Sequence, residues 1–194
     1  MPRTNPISNR LKSTLATIKR QYENAIRNGS HSSLIRSGKL IGNLHSFIKS
    51  ELQRAGFPED WILGDSELYG NPKKKTQDIL IVPPDSSKTG PILSINIRSQ
   101  LSSIAKNFDT MFERVYAEAL NLHTRFPFLT LGYVYLIPLH GYDTSERRIT
   151  RSETYDLAHF LTSFTAISNR KSENDDRWKY EAVCLLLVDF AKNP

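Results

Sequence analysis

Asp78 closes the polar segment Lys73-Lys74-Lys75-Thr76-Gln77 and opens the apolar run Ile79-Leu80-Ile81-Val82. A second run, Ile92-Leu93-Ser94-Ile95-Asn96-Ile97-Arg98, follows after a turn rich in Pro, Ser and Gly. Strand side chains alternate, so a residue at the edge of one strand meets residues i and i+2 of its neighbour on a shared face. That rule brings Asp78, Asn96 and Arg98 together and turns Ile95 and Ile97 into the core. A carboxylate there can hold a divalent ion that activates water and neutralises charge on a phosphate. A cation beside it stabilises the phosphorane that forms. The skeleton suits metal-assisted hydrolysis of a phosphate ester, with one carboxylate at 78, an amide at 96 and a guanidinium at 98. Asn96 brings no negative charge, so a metal site of Asp78 and Asn96 calls for a further carboxylate. Glu67, Glu51 and Glu113 are the candidates, and Glu67 lies nearest in sequence. Arg98 keeps the positive charge but is planar and bulkier than lysine, and is suited to bidentate contact with a phosphate.

The charge distribution agrees with a polyanionic partner. The formal net charge is +6, and basic residues concentrate over 3–27, at Lys73, Lys74 and Lys75, and at Arg147, Arg148 and Arg151. The lysines just before Asp78, with Arg147 and Arg148, are the expected contacts to a DNA backbone; such contacts give affinity and salt dependence but little sequence reading. The plainer alternative for each is a solvated loop. His31, His45, His123, His140 and His159 are scattered, without metal-ligand spacing. The lone cysteine, Cys184, sits in an apolar run and reads as a core residue in a reducing cytoplasm. No secretory signal opens the chain, and the apolar stretch 182–188 is too short to cross a bilayer.

These residues need elements to position them. At 194 residues, with 39% apolar and 24% charged side chains, the chain suits one domain over 1–194 with a sizeable core. The stripe Leu11, Leu15, Ile18, Tyr22, Ile26 predicts an amphipathic helix over 8–27, and Leu44, Phe47, Ile48, Leu52 a second. Strands are expected from Trp61 toward Tyr69, over 78–82 and over 92–98, the last two as a hairpin. Phe108, Phe112, Val115, Ala119 and Leu122 mark a helix capped by Asn107 or Asp109. Residues 128–138 read as a central strand, in which Tyr133 and Tyr135 pack rather than stack on bases. A charged loop over 141–154 and a short helix over 155–163 follow. The apolar run 178–190 reads as a helix by its length. Helices, a strand meander, then a helix crossing to another strand predict an α/β fold of the mixed α+β kind: a central mixed β-sheet flanked by helices.

Several short motifs carry a resemblance to a known family. After Arg98-Ser99-Gln100, the run Ser102-Ser103-Ile104-Ala105-Lys106-Asn107-Phe108 is similar to the segment that follows the catalytic lysine in PD-(D/E)xK nucleases of the Xho-type, a group of type II restriction endonucleases. Glu113 and Ala119 match the next helix of that group. Ser37-Gly38, Gly42, Phe47, Glu51 and Gly56-Phe57-Pro58 match the helix before the first catalytic strand, and Lys179-Tyr180-Glu181-Ala182 a C-terminal segment. The resemblance implies a restriction-endonuclease-like fold, Mg²⁺ held near Asp78, hydrolysis of double-stranded DNA, a restriction-modification role and a two-fold homodimer. It places Asp78 at the metal-binding aspartate, Asn96 at the second acidic position and Arg98 at the lysine. Two departures in three positions keep a second class open: a pseudonuclease that binds DNA or joins a complex without cutting. A basic interaction protein unrelated to nucleases is the third. The base-reading segments are expected within 141–154 and 168–177.

Overall fold

The computed structural model describes residues 6–36, 38–86, 90–140, 142–143, 150–151 and 155–192. In chain order the elements are α1 (Pro6–Arg27), α2 (His31–Arg36), α3 (Lys39–Arg54), a 3₁₀ turn (Glu59–Trp61), β1 (Ile62–Tyr69), β2 (Lys74–Ile81), β3 (Leu93–Ser99), α4 (Ile104–Arg125), β4 (Thr130–Pro138), β5 (Tyr142–Asp143), β6 (Thr150–Arg151), α5 (Leu157–Ala166) and β7 (Ala182–Val188). A five-stranded sheet runs in the order β1-β2-β3-β4-β7, and β5 pairs with β6 separately. β1, β2 and β3 form an antiparallel meander, whereas β4 and β7 lie parallel to β3 and to each other. The architecture is therefore mixed α/β, with helices against the sheet.

Each sheet face seals its own core, and the alternation of strand side chains decides which residue goes where. On one face, Ile18, Tyr22 and Ile26 of α1 and Leu40 and Leu44 of α3 close over Ile79, Ile97 and Leu136. The apolar stripe read along 8–27 is thus the packing face of α1. On the other face, Phe108, Val115, Ala119 and Leu122 of α4 join Phe160 and Phe164 of α5 over Tyr133, Tyr135, Ile137 and Tyr180. Ile79 and Ile97 are 0% exposed, and each such burial stabilises the fold by about 1.5–3 kcal/mol. No helix among the described residues is long and apolar enough to cross a membrane.

Four expectations are corrected. The run 178–190 is not a helix: Ala182–Val188 is strand β7 at the sheet edge, where the ladder to β4 and the preceding turn outweigh segment length as a guide. Cys184, on that edge strand, is exposed rather than buried in the core. The cap of α4 is Ser103 in the left-handed region (φ 50°), with no side-chain bond, rather than Asn107 or Asp109. β2 begins at Lys74, so Lys74 and Lys75 belong to the ladder with β1 rather than to a loop, and Asp78 stands inside the strand. The short helix α2 was not anticipated.

Candidate active site

The antiparallel register between β2 and β3 runs Ile81↔Leu93, Leu80↔Ser94, Ile79↔Ile95 and stops there. One step further, side chains replace the ladder. Asn96 Oδ1 accepts the Asp78 N–H at 3.1 Å, and Asp78 Oδ2 accepts the Ile97 N–H at 2.7 Å. The strands part at this point, and the gap is filled by polar groups that carry the missing backbone bonds.

Arg98 turns back onto this fork. Its Nη1 donates to Asp78 Oδ2 at 2.5 Å and to the Ile97 carbonyl at 2.9 Å. The three residues singled out from the sequence therefore converge, and Ile95 and Ile97 pack on the opposite face as the alternation requires. Asn96 is more deeply placed than an open site would have it, at 1% exposure.

The structure adds residues that the sequence reading did not single out. Gln77, fully buried, accepts from Ser94 Oγ at 2.6 Å and from Asn96 Nδ2 at 2.8 Å. Glu118 reaches in from α4, and its Oε1 accepts from Gln77 Nε2 and from Asn96 Nδ2, both at 3.1 Å. Glu118 is 9% exposed. Burial pushes its carboxyl above the usual range, against the Gln77 bond and the charges of Arg98 and Lys75, which pull it down; Asp78 adds to the rise. Its signal in the sequence was the apolar stripe itself. An acid at 118 falls between Val115 and Ala119 on the buried face of the helix, where a carboxylate is rarely left without a purpose.

On the α3 side, half-buried His45 has Nε2 without a hydrogen-bond partner. Desolvation lowers its pKa, while Asp78 and Asp65 pull it upward and Arg98 and Lys49 downward. A histidine that looked scattered in sequence thus lies within electrostatic reach of the fork.

A groove of about 440 Å³ opens beside Arg98 and Glu118, lined also by Lys75 and Arg114, with Tyr133 and Tyr135 among its walls. Of the lysine triplet, only Lys75 lines it. Lys74 is drawn to Glu67 at 2.7 Å, and the Lys73 backbone is strapped to Asn121 by two bonds of 2.8 Å. Both groups of Glu67 and Lys74 are substantially exposed, so that pair contributes little to stability. Glu51 is committed to Arg10 and Arg54 at 2.6 and 2.7 Å. Glu113 lies on the exposed face of α4. Arg147 and Arg148 lie outside the described residues. Arg170, within the expected base-reading segment 168–177, is instead buried and paired with Glu181 at 2.7 Å.

Two carboxylates, Asp78 and Glu118, therefore flank Asn96. Asp78 Oδ1 and Glu118 Oε2 accept no hydrogen bond among the described residues, and neither is a buried orphan. Mg²⁺ characteristically takes one or two carboxylates together with waters and substrate phosphate oxygens, so this donor set fits it. It is not a closed protein cage: among the described residues, no three His, Cys, Asp or Glu side chains converge.

Comparison with known proteins adds no relative: no family model, no curated protein and no solved structure matches the chain.

Proposed function

We propose that this chain hydrolyses phosphodiester bonds of double-stranded DNA with Mg²⁺, in the manner of a type II restriction endonuclease. The observation that carries the reading is the convergence of Asp78, Arg98 and Glu118 at the parted ends of β2 and β3, beside a groove lined by Lys75 and Arg114. The central mixed sheet flanked by helices is compatible with the restriction-endonuclease-like fold that the resemblance implies. Lys75, Arg98 and Arg114 draw the phosphodiester backbone into the groove. Asn96 holds the Asp78 backbone and the Glu118 carboxylate in register, and buried Tyr133 and Tyr135 keep water from beneath. Mg²⁺, which Asp78 and Glu118 would hold, would supply a polarised water and neutralise charge on the phosphate. The guanidinium of Arg98 is the cation that meets the scissile phosphate. A palindromic target presents the same face twice, so the acting form is a two-fold homodimer.

One observation favours the second reading, a pseudonuclease that holds DNA without cutting it. A single guanidinium nitrogen, Arg98 Nη1, donates to both the Asp78 carboxylate and the Ile97 carbonyl, so a side-chain cation already serves the aspartate. A plasmid assay with Mg²⁺ or Mn²⁺, run beside a gel-shift assay in chelator, separates the two. Metal-dependent nicks or fragments that vanish in Asp78→Ala support hydrolysis. Retardation without cutting, with cleavage installed by Asn96→Glu plus Arg98→Lys, supports the pseudonuclease. Neither binding nor cutting at low salt sinks both.

A further inference from the structure

We infer that Glu118, on the crossing helix α4, is the second carboxylate of the metal site, and that Asn96 is a positioning residue holding it there. The inference rests on the nuclease-type reading above and replaces Glu67, Glu51 and Glu113 in it. The geometry is specific. Asn96 stands where the second acid is expected, but its side chain is spent on orientation: Oδ1 on the Asp78 N–H, and Nδ2 shared between Gln77 and Glu118. Both amide bonds received by Glu118 fall on Oε1, which leaves Oε2 on a residue that lines the groove. Asp78 is arranged in the same way: Oδ2 takes the Ile97 N–H and Arg98, and Oδ1 is left over. Two carboxylates thus each use one oxygen for position and keep the other.

Burial sharpens the point. A carboxylate 9% exposed whose only described partners are two neutral amides is poorly compensated for its lost hydration. Apolar residues of the same size fill a helix–sheet interface at lower cost. Gln77, Ser94 and Asn96 form a polar scaffold inside the sheet that aims this one acid. Glu67 and Glu51 already have cationic partners, Lys74 in the first case and two arginines in the second.

Mn²⁺ binding, read by electron paramagnetic resonance with a short duplex present, tests the assignment without relying on turnover. Glu118→Gln keeps the shape and the acceptor oxygen, and should weaken Mn²⁺ binding at least tenfold, as should Asp78→Asn, while Glu67→Gln leaves it unchanged. Adding Asn96→Asp to Glu118→Gln moves the carboxylate to the strand and should restore most of the lost affinity. Wild-type affinity in Glu118→Gln, or a wild-type chain that takes up no Mn²⁺, overturns the inference. Loss of Mn²⁺ in both single variants, with no plasmid cleavage by the wild type, sustains the site and removes only the hydrolytic reading.

Discussion

Two clusters of buried charge lie on the α4 side of the sheet, and they are built on opposite principles. Around Glu181 the bonds close on themselves. Arg170 Nη1 meets Glu181 Oε1 at 2.7 Å and its Nη2 the Pro127 carbonyl at 2.9 Å. Glu181 Oε2 takes the Leu131 N–H at 2.6 Å, and His123 sits between the carbonyls of Arg177 and Leu129 at 2.9 Å each. Among the described residues, Arg170 Nε is the one buried side-chain polar atom there that lacks a partner. Around Asn96 the same kinds of group leave one oxygen on each of two carboxylates without a partner among the described residues, and one of the two acids, Glu118, lines a groove. A buried charge that is saturated by its own chain serves the fold, whereas one with oxygens to spare beside an opening is poised for a ligand. Position 181 and position 118 are both glutamates, and only their partners tell them apart.

The largest effect should come from breaking the closed cluster. Arg170→Ala leaves the partly buried Glu181 without its cation and should cost about 3 kcal/mol in a denaturant melt, with DNA binding per folded molecule unchanged. A near-wild-type melt would erase the contrast between the two clusters. The open cluster should behave in the reverse way. Asp78→Asn should lower cleavage at least about 100-fold, on the scale of losing one contact to the transition state, with stability shifted by no more than about 1 kcal/mol. A smaller change sharpens the distinction further: Glu118→Gln removes a buried charge whose bonds are to neutral amides and should raise stability at neutral pH by about 0.5–2 kcal/mol while function is lost, the trade that marks a functional site.

Acid should destabilise the fold through the closed cluster, although the raised Glu118 carboxyl takes its proton at a higher pH. Burial alone raises the Glu181 carboxyl, but the His123 ring at 3.6 Å, the Leu131 N–H and the Arg170 bond outweigh it and hold the group below its ordinary 4.5. A depressed folded pKa contributes stability that is complete above the ordinary value and is lost as pH falls through the folded one. Melting temperature should therefore drop below about pH 4.5, and Glu181→Gln should flatten that limb of the profile. The smallest expected effect is at the groove rim, where Lys75→Ala should reduce the salt slope of DNA binding by about 1. The same change at Lys74, tied to Glu67, should alter it less.

Much of the architecture was legible because it depends on period. The stripe from Leu11 to Ile26 and the one from Phe108 to Leu122 name their helices and their buried faces, and the alternation over 92–98 separates Ile95 and Ile97 from Asn96 and Arg98. The C-terminal strand was not legible: the apolar composition of 182–188 suits helix or strand equally, and it is a ladder with Gly132 through Pro138 that decides. Cys184 followed from the same misreading, since an edge strand leaves side chains open that a core helix would cover.

Sequence alone determined that an aspartate, an amide and a guanidinium would meet at neighbouring strands, because spacing along a strand dictates face. Tertiary structure alone decided which glutamate joins them. Glu118 lies 40 positions from Asp78, and no local rule links a helix position to a strand position across a packed interface. Packing of α4 against the parted strands brings the acid to Asn96, and the polar bonds available there, rather than its place in the chain, set it apart from Glu51, Glu67 and Glu113.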